Sequence, residues 1–509
     1  MNRNVTKTNK KRTSNTGGKV VASGGYGCVF NPSLKCIDKS NRQDNYVSKL
    51  MLKRDAKSEY DDVTKFKNDL DKIPNYENYF LLNGFSLCEP DKLTDGDLVD
   101  FDKKCKTLVR SDITKTNINR KLNELVSLNM PNGGVDLGDY IEQNGHSTYK
   151  EMIRINNSLI DLLVNGIIPM NKMGVYHQDV KESNILIDIN NDKMYARLID
   201  WGIGTKYDGT NKFPRHSENR PFQYNIPFSC ILFNDKFDSL YKSFLKENPE
   251  PEDYSIRTFV IDYIFFWNTE RGIGHMGVIE NIFGKLFSMD LTNMTTEERA
   301  MVIELEYAYN SIIEYLTAIL IKYTKNGEFD KMKYFKEVYI KIIDVWGLII
   351  SYEPILTKLF SNYINLNQNE MKLYNKIKYI FMKYLYEPRL EPINIDKLVS
   401  NLKSLNPLFE KADKNTSTTQ VIKLLPTSSS SLSQIINIQP LTSSKNKNKT
   451  STRKSSSSKT SKKNKSRKSS LTTLGLNIKT PTKKSNKDII KTISTYLDEN
   501  EEERTADIQ

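Results

Sequence analysis

His177-Gln178-Asp179-Val180-Lys181-Glu182-Ser183-Asn184 runs directly into Ile185-Leu186-Ile187, and Leu198-Ile199-Asp200-Trp201-Gly202 brings a second acid, Asp200, 21 residues after Asp179. The apolar runs on either side of Asn190-Asn191-Asp192 read as two short strands joined by a tight hairpin. Such a hairpin carries Asp179, Lys181, Asn184 and Asp200 to one edge of a small sheet. Carboxylate and amide oxygens are the hard ligands that magnesium takes beside phosphates. A second carboxylate can orient a hydroxyl nucleophile, and a lysine can neutralise charge on a transferred group. The four residues together point to phosphoryl transfer, with Asp179 and Lys181 as catalytic candidates and Asn184 and Asp200 as metal candidates.

Upstream, Ala22-Ser23-Gly24-Gly25-Tyr26-Gly27-Cys28-Val29 places two glycines three apart around an aromatic tip. Backbone N–H groups in such a hairpin can approach phosphate closely, although an ordinary tight turn has the same look. No Gly-Lys-Ser/Thr ending makes it a Walker loop. Tyr46-Val47-Ser48-Lys49-Leu50 alternates as a strand does and offers Lys49 as a point charge for a di- or triphosphate, with Lys53 as a rival. Glu59, on an expected following helix, is a candidate partner for that lysine, and Glu77 competes with it.

These motifs resemble the eukaryotic-type protein kinase superfamily, in a form similar to the divergent kinases of large DNA viruses. The resemblance spans about 20–405 and implies an α+β fold of two lobes. The small β-rich lobe would occupy about 20–130 and the helical lobe about 131–410. ATP and Mg2+ would be the cofactors. By that resemblance Ala22, Gly24, Gly25, Tyr26, Gly27 and Val29 belong to the nucleotide loop, Lys49 holds the α/β-phosphates, and Glu59 pairs with it. Leu128-Asn129-Met130-Pro131-Asn132-Gly133-Gly134 corresponds to the hinge, where Met130 meets adenine and Asp136 lies near the ribose. Asp179 takes the catalytic-base position with Lys181 behind it, and Asp200-Trp201-Gly202 replaces Asp-Phe-Gly. Asp344-Val345-Trp346-Gly347 resembles the start of the central helix of the large lobe, whose aspartate anchors the catalytic loop.

The chain departs from the family at Gln178, where an arginine ordinarily reads a phosphate on the activation loop; switching by phosphorylation is therefore not expected. No Ala-Pro-Glu closes that loop, and Asn219-Arg220-Pro221-Phe222-Gln223-Tyr224-Asn225 is the candidate substitute. The 144 residues from Asp200 to Asp344 imply a helical insertion of about 233–335. Within it Thr295 and Glu298 form a capping-box pair ahead of an apolar stripe at Val302, Leu305, Tyr309, Ile312, Leu316, Ile319 and Tyr323. His275, alone in Gly272-Ile273-Gly274-His275, reads as structural.

Composition bounds the rest. The 509 residues carry a formal net charge of +13, but residues 1–19 hold six Lys/Arg without an acid and 441–487 hold fifteen without an acid. The 20–440 body is thus mildly acidic, which argues against a groove-type nucleic-acid domain. The basic arm 1–19 and the Ser/Lys-rich tail 411–509 bury too little apolar surface to order themselves, apart from a short helix expected at 486–497. Weak, salt-sensitive contact with nucleic acid or another polyanion is the most such a tail offers. Its serines, tethered near an enzyme, are expected acceptors of phosphate within 427–482. Five cysteines without a C-x-x-C pair suggest a reducing compartment. No apolar run reaches the length of a membrane span and no secretory leader opens the chain, so an intracellular monomer is expected, in host cytoplasm or nucleus or in a virion. The leading expectation is a kinase for Ser/Thr of protein substrates. The alternatives are a small-molecule phosphotransferase of the aminoglycoside or choline kinase kind, and a pseudokinase scaffold.

Overall fold

The computed structural model describes residues 18–38, 42–43, 45–143, 148–214, 216–362 and 365–419. The arm before Gly18, the tail beyond Thr419 and the expected helix at 486–497 lie outside the described residues.

The alternating apolar residues after Gly18 build a five-stranded antiparallel sheet. Its strands are β1 (Lys19–Ser23), β2 (Gly27–Asn31), β3 (Tyr46–Leu52), β4 (Ser86–Cys88) and β5 (Leu125–Pro131), in the order β1-β2-β3-β5-β4. Pairing of Val29 with Lys49 and of Lys49 with Leu128 fixes the register across the centre. One face is covered by Val20, Cys28, Phe30, Leu50, Leu98, Phe101, Leu108 and Leu125, all buried. The helix expected after β3 is present as Lys53–Leu70, whose buried Ala56, Glu59, Val63, Phe66 and Leu70 recur at helical spacing.

Three more strands, β6 (Val135–Asp136), β8 (Ile185–Asn190) and β9 (Lys193–Leu198), form a second sheet; β7 (Val175–Tyr176) pairs with β10 (Thr205–Lys206). Asn191 and Asp192 take φ of 50° and 61° between β8 and β9, the left-handed pair a two-residue hairpin requires. From Tyr149 onward helices dominate. Helix Ile340–Ile350 is buried at every position but Lys341, as a helix apolar on nearly all sides must be.

The expected insertion is helical. Helices Asp235–Glu247, Asp253–Arg271 and Met276–Phe287 precede a capped helix that starts at Thr296. The Thr295–Glu298 capping box is present. A π segment, Ile303–Tyr309, then slips the register. Ile303 and Ala308 are buried there, Leu305 and Tyr309 only partly, and the predicted stripe resumes at Ile312, Leu316, Ile319 and Tyr323. The low-complexity boundary at 411 also shifts, because helix Asn406–Thr419 runs past it.

The cysteine reading is corrected. Cys28 is bonded to Cys105 and Cys36 to Cys88, leaving Cys230 buried and unpaired. Sequence separations of 77 and 52 residues hide both pairs from any spacing rule. Asn129, fully buried, donates to both sulfurs of the second pair at 3.3 Å and accepts from Ser48 and Ser127, so its polar groups are met inside the sheet.

Candidate active site

Lys49 and Glu59 meet because β3 turns straight into helix Lys53–Leu70, which brings a side chain two helical turns along back over the strand. Lys49 Nζ lies 2.8 and 2.7 Å from the two Glu59 oxygens, and both side chains are 8% exposed. Burial opposes the Lys49 charge, but Asp200 and Glu59 outweigh it and hold its pKa above the ordinary lysine value. The rivals stay outside: Lys53 makes a 3.6 Å surface pair with Glu89, and Glu77 accepts from Asn83.

The glycine hairpin lies over this pair. Gly24 N–H donates to Gly27 C=O at 2.9 Å, closing the turn, and a Cβ on Gly24 would stand 3.6 Å from Lys49 Cε. At Gly27 a Cβ would fall 2.5 Å from Leu50 O, so only glycine lets β2 start against β3. Gly25 faces open space, Tyr26 is half exposed with its ring near Gly202, and Ala22 pairs with Val29 across β1 and β2. Thr107 Oγ1 donates to Gly24 O at 2.6 Å, and the Cys28–Cys105 bond ties the same segment to β2. The segment from Cys105 to Thr107 thus braces the hairpin.

Asp179 is held on three sides. Lys181 Nζ donates to Oδ2 at 2.8 Å and Asn184 Nδ2 to the same oxygen at 3.0 Å, while Asn225 Nδ2 donates to Oδ1 at 2.8 Å. Burial raises its pKa, but the Lys181 charge and these hydrogen bonds overcome it and leave the carboxyl below its ordinary value. Each carboxylate oxygen offers two lone pairs. Oδ2 is therefore filled, and Oδ1, which accepts one bond from Asn225, keeps its second lone pair.

One turn of helix Ile340–Ile350 supports this loop from beneath. Asp344, fully buried, accepts from the backbone N–H of His177 at 2.9 Å and of Gln178 at 2.8 Å. Trp346 Nε1 donates to Tyr224 O at 3.2 Å. Gly347 presses on the loop so closely that a Cβ there would lie 2.3 Å from Val180 O. His177 Nε2 contacts Ile199 O at 2.9 Å, and Ile199 N–H donates to Asn184 O at 3.0 Å, which registers Asp200 beside Asn184. Trp201 packs between Phe66, Phe80 and His177 at centroid distances of 5.3, 5.7 and 4.8 Å.

Gln178 is tied directly to the segment that follows Asp200. Its side-chain amide donates to Ile203 O at 3.1 Å and accepts from Ser217 Oγ at 2.7 Å, and its backbone carbonyl accepts from Arg220. Met130 sits on β5 opposite Val47. Asp136 accepts from Asp139 N–H at 3.0 Å, with burial raising its pKa.

The donor set suits a magnesium nucleotide. Asp200 makes no hydrogen bond to the described residues, and Asn184 spends only its Nδ2, leaving the Asp200 carboxylate and the Asn184 amide oxygen open. Among the described residues no three His, Cys, Asp or Glu form a cluster; magnesium needs none when phosphate oxygens and water complete its shell.

Of the residues singled out in the sequence, Lys49, Glu59 and Asp200 lie together by the Gly24–Gly27 hairpin, and Asp179, Lys181 and Asn184 form a hydrogen-bonded group tied to Asp200 through Ile199. Asn225 and Thr107 were not foreseen as site residues, since neither carries a local signal and both arrive from distant segments.

Residues 107–224 match the family model of the protein kinase domain. That stretch takes in β5, Asp136, the 177–184 loop and Asp200, and it stops one residue short of Asn225. No curated protein matches the chain. The match makes the chain similar, over this stretch, to protein kinases, which transfer phosphate to proteins. Among the described residues no helix is long and apolar enough to cross a membrane.

Proposed function

We propose that the chain transfers the γ-phosphoryl group of ATP, with Mg2+, to Ser/Thr hydroxyls of protein substrates. The observation that carries this reading is the Asp179 carboxylate, ionised and fixed by Lys181, Asn184 and Asn225, with a single lone pair left on Oδ1.

In this reading the Gly24–Gly27 backbone covers the phosphates, and Lys49, oriented by Glu59, sets its charge against the α/β-phosphates. The Met130 backbone meets adenine, and Asp136 the ribose. Asn184 Oδ1 and the Asp200 carboxylate hold magnesium, which when bound neutralises charge building on the transferred group. Asp179 Oδ1 accepts the hydrogen bond of the acceptor hydroxyl and aims its oxygen at the phosphorus. A weak base suffices there, because the loose transition state asks mainly for positioning. Lys181, 2.8 Å from Asp179 Oδ2, keeps that carboxylate charged and shares its own charge with the incoming phosphoryl oxygens. The lysine at 181 is also what favours Ser/Thr over Tyr, by resemblance to the family.

The test is transfer of labelled γ-phosphate from Mg-ATP to a basic protein and to a casein-type substrate, by wild type and Asp179→Asn side by side. Label on phosphoserine or phosphothreonine that vanishes in the variant is the expected result. ATP binding without label on any protein would reject it in favour of small-molecule transfer or scaffolding.

A further inference from the structure

Three of the four residues at the hairpin tip, Gly24-Gly25-Tyr26-Gly27, are glycine, the residue that loses most backbone freedom when it is ordered. A ligand seated under a tip of that composition would have to supply the cost of ordering it, unless the protein holds the tip in advance. A distant segment does so. Helices Phe101–Lys104 and Lys106–Arg110 meet at Cys105 and lie against β1 and β2. Lys104 Nζ donates to Val20 O on β1 at 3.3 Å, the Cys28–Cys105 bond fastens the joint to β2, and Thr107 Oγ1 donates to Gly24 O at 2.6 Å. Three attachments of different kinds fall on one hairpin, two on its strands and the last at its tip.

The attachment at the tip governs which backbone groups remain open. Gly24 N–H closes the turn onto Gly27 C=O, so with its carbonyl held by Thr107 both polar groups of Gly24 are committed. The N–H groups of Gly25 and Tyr26 make no hydrogen bond to the described residues. Successive open N–H groups in a turn form a concavity that takes anions. Gly24 also stands over the lysine of β3, since a Cβ there would lie 3.6 Å from Lys49 Cε and 3.9 Å from Nζ. Holding the Gly24 carbonyl therefore sets two open N–H donors against the Lys49 ammonium, and a polyphosphate needs both kinds of donor at once.

We propose that Thr107 is a positioning residue for phosphate binding. Its hydroxyl holds the glycine hairpin over Lys49 in the form that receives the phosphates of the nucleotide, without touching the nucleotide itself. The Cys28–Cys105 bond and the Lys104 contact anchor the segment from which Thr107 reaches the tip. This assignment deepens the ATP-dependent reading above and rests on it.

Calorimetric titration of the full chain with Mg-ATP and with adenosine tests it, comparing wild type, Thr107→Val and Thr107→Ser. Val keeps the shape of the side chain without its hydroxyl, and Ser keeps the hydroxyl. The expected result is a Kd for Mg-ATP about five- to tenfold higher in the Val variant, the size of one lost hydrogen bond. Ser should restore most of that loss, and the Kd for adenosine, which carries no phosphate, should not move in either variant. An unchanged Kd for Mg-ATP in the Val variant would overturn the assignment, as would a Ser variant that binds no more tightly than Val. Equal weakening toward Mg-ATP and adenosine would also overturn it, since that would mean general damage to the small lobe. Absence of Mg-ATP binding by wild type itself would reject the nucleotide reading and this one with it. Normal wild-type binding beside an unaffected Val variant would reject Thr107 alone.

Discussion

Gly347→Ala offers the sharpest probe of how the candidate site is built. Within a helix the change ordinarily stabilises by about 1 kcal/mol, but here the new methyl would sit 2.3 Å from Val180 O and 2.6 Å from Val180 Cβ. A carbon–oxygen contact needs about 3.3 Å, so the loop must move by about 1 Å. Overpacking of this kind costs roughly 1–3 kcal/mol, which cancels the helix gain and leaves a net loss of about 0–2 kcal/mol. Val180 stands between Asp179 and Lys181, and a displacement of about 1 Å at reacting groups costs on the order of 100-fold in rate. The KM for ATP should hold within about twofold, since Lys49 and Glu59 ride on β3 and the helix after it, and binding without the acceptor step is uniform. Gly284→Ala is the control: it is also inside a helix, but its nearest neighbour would be Ile303 Cδ1 at an ordinary 3.8 Å. That variant should gain stability and keep its rate. Urea denaturation and phosphate-transfer kinetics on both proteins decide the matter. A Gly347→Ala protein as active as wild type and stabilised like the control would refute the view that this helix sets the position of Asp179.

Lys49→Met should abolish transfer and destabilise by roughly 3–5 kcal/mol, because it strands Glu59 in a buried site; adding Glu59→Leu should restore most of the stability but none of the activity, as read by denaturant midpoints and label transfer. Asn225→Ala removes a hydrogen bond to a charged carboxylate, and kcat should fall about 10- to 100-fold with Mg-ATP binding unaltered, measured by pairing kinetics with nucleotide titration. Thiol counting with a chromogenic disulfide checks the cysteine pairing. The native chain should react at no cysteine near pH 8, because the Cys230 thiol is buried and its pKa is pushed up to about 12. Unfolding without reductant should expose one thiol and unfolding with reductant five; three or more thiols in the unreduced, unfolded chain would disprove at least one of the two bonds.

What was legible in the sequence was local. Asp179, Lys181, Asn184 and Asp200 lie within 22 residues on one turn-strand-turn-strand unit, and the Asn191–Asp192 hairpin needs only its own backbone geometry to bring their ends together. The Thr295–Glu298 cap was readable for the same reason. The π segment at 303–309 was not, because a one-residue slip answers to what the helix packs against. Lys49 and Glu59 could be nominated from the sequence alone but not separated from Lys53 and Glu77, since charge and spacing are alike in all four and burial is what differs. Tertiary structure alone decided the partners that cross long separations. These are Asn225 on Asp179, Cys28 with Cys105, and His275 beside Tyr224. Each costs chain entropy to bring together, and each is paid back only by packing of the whole fold, so no stretch of sequence short enough to read by pattern contains the reason for it.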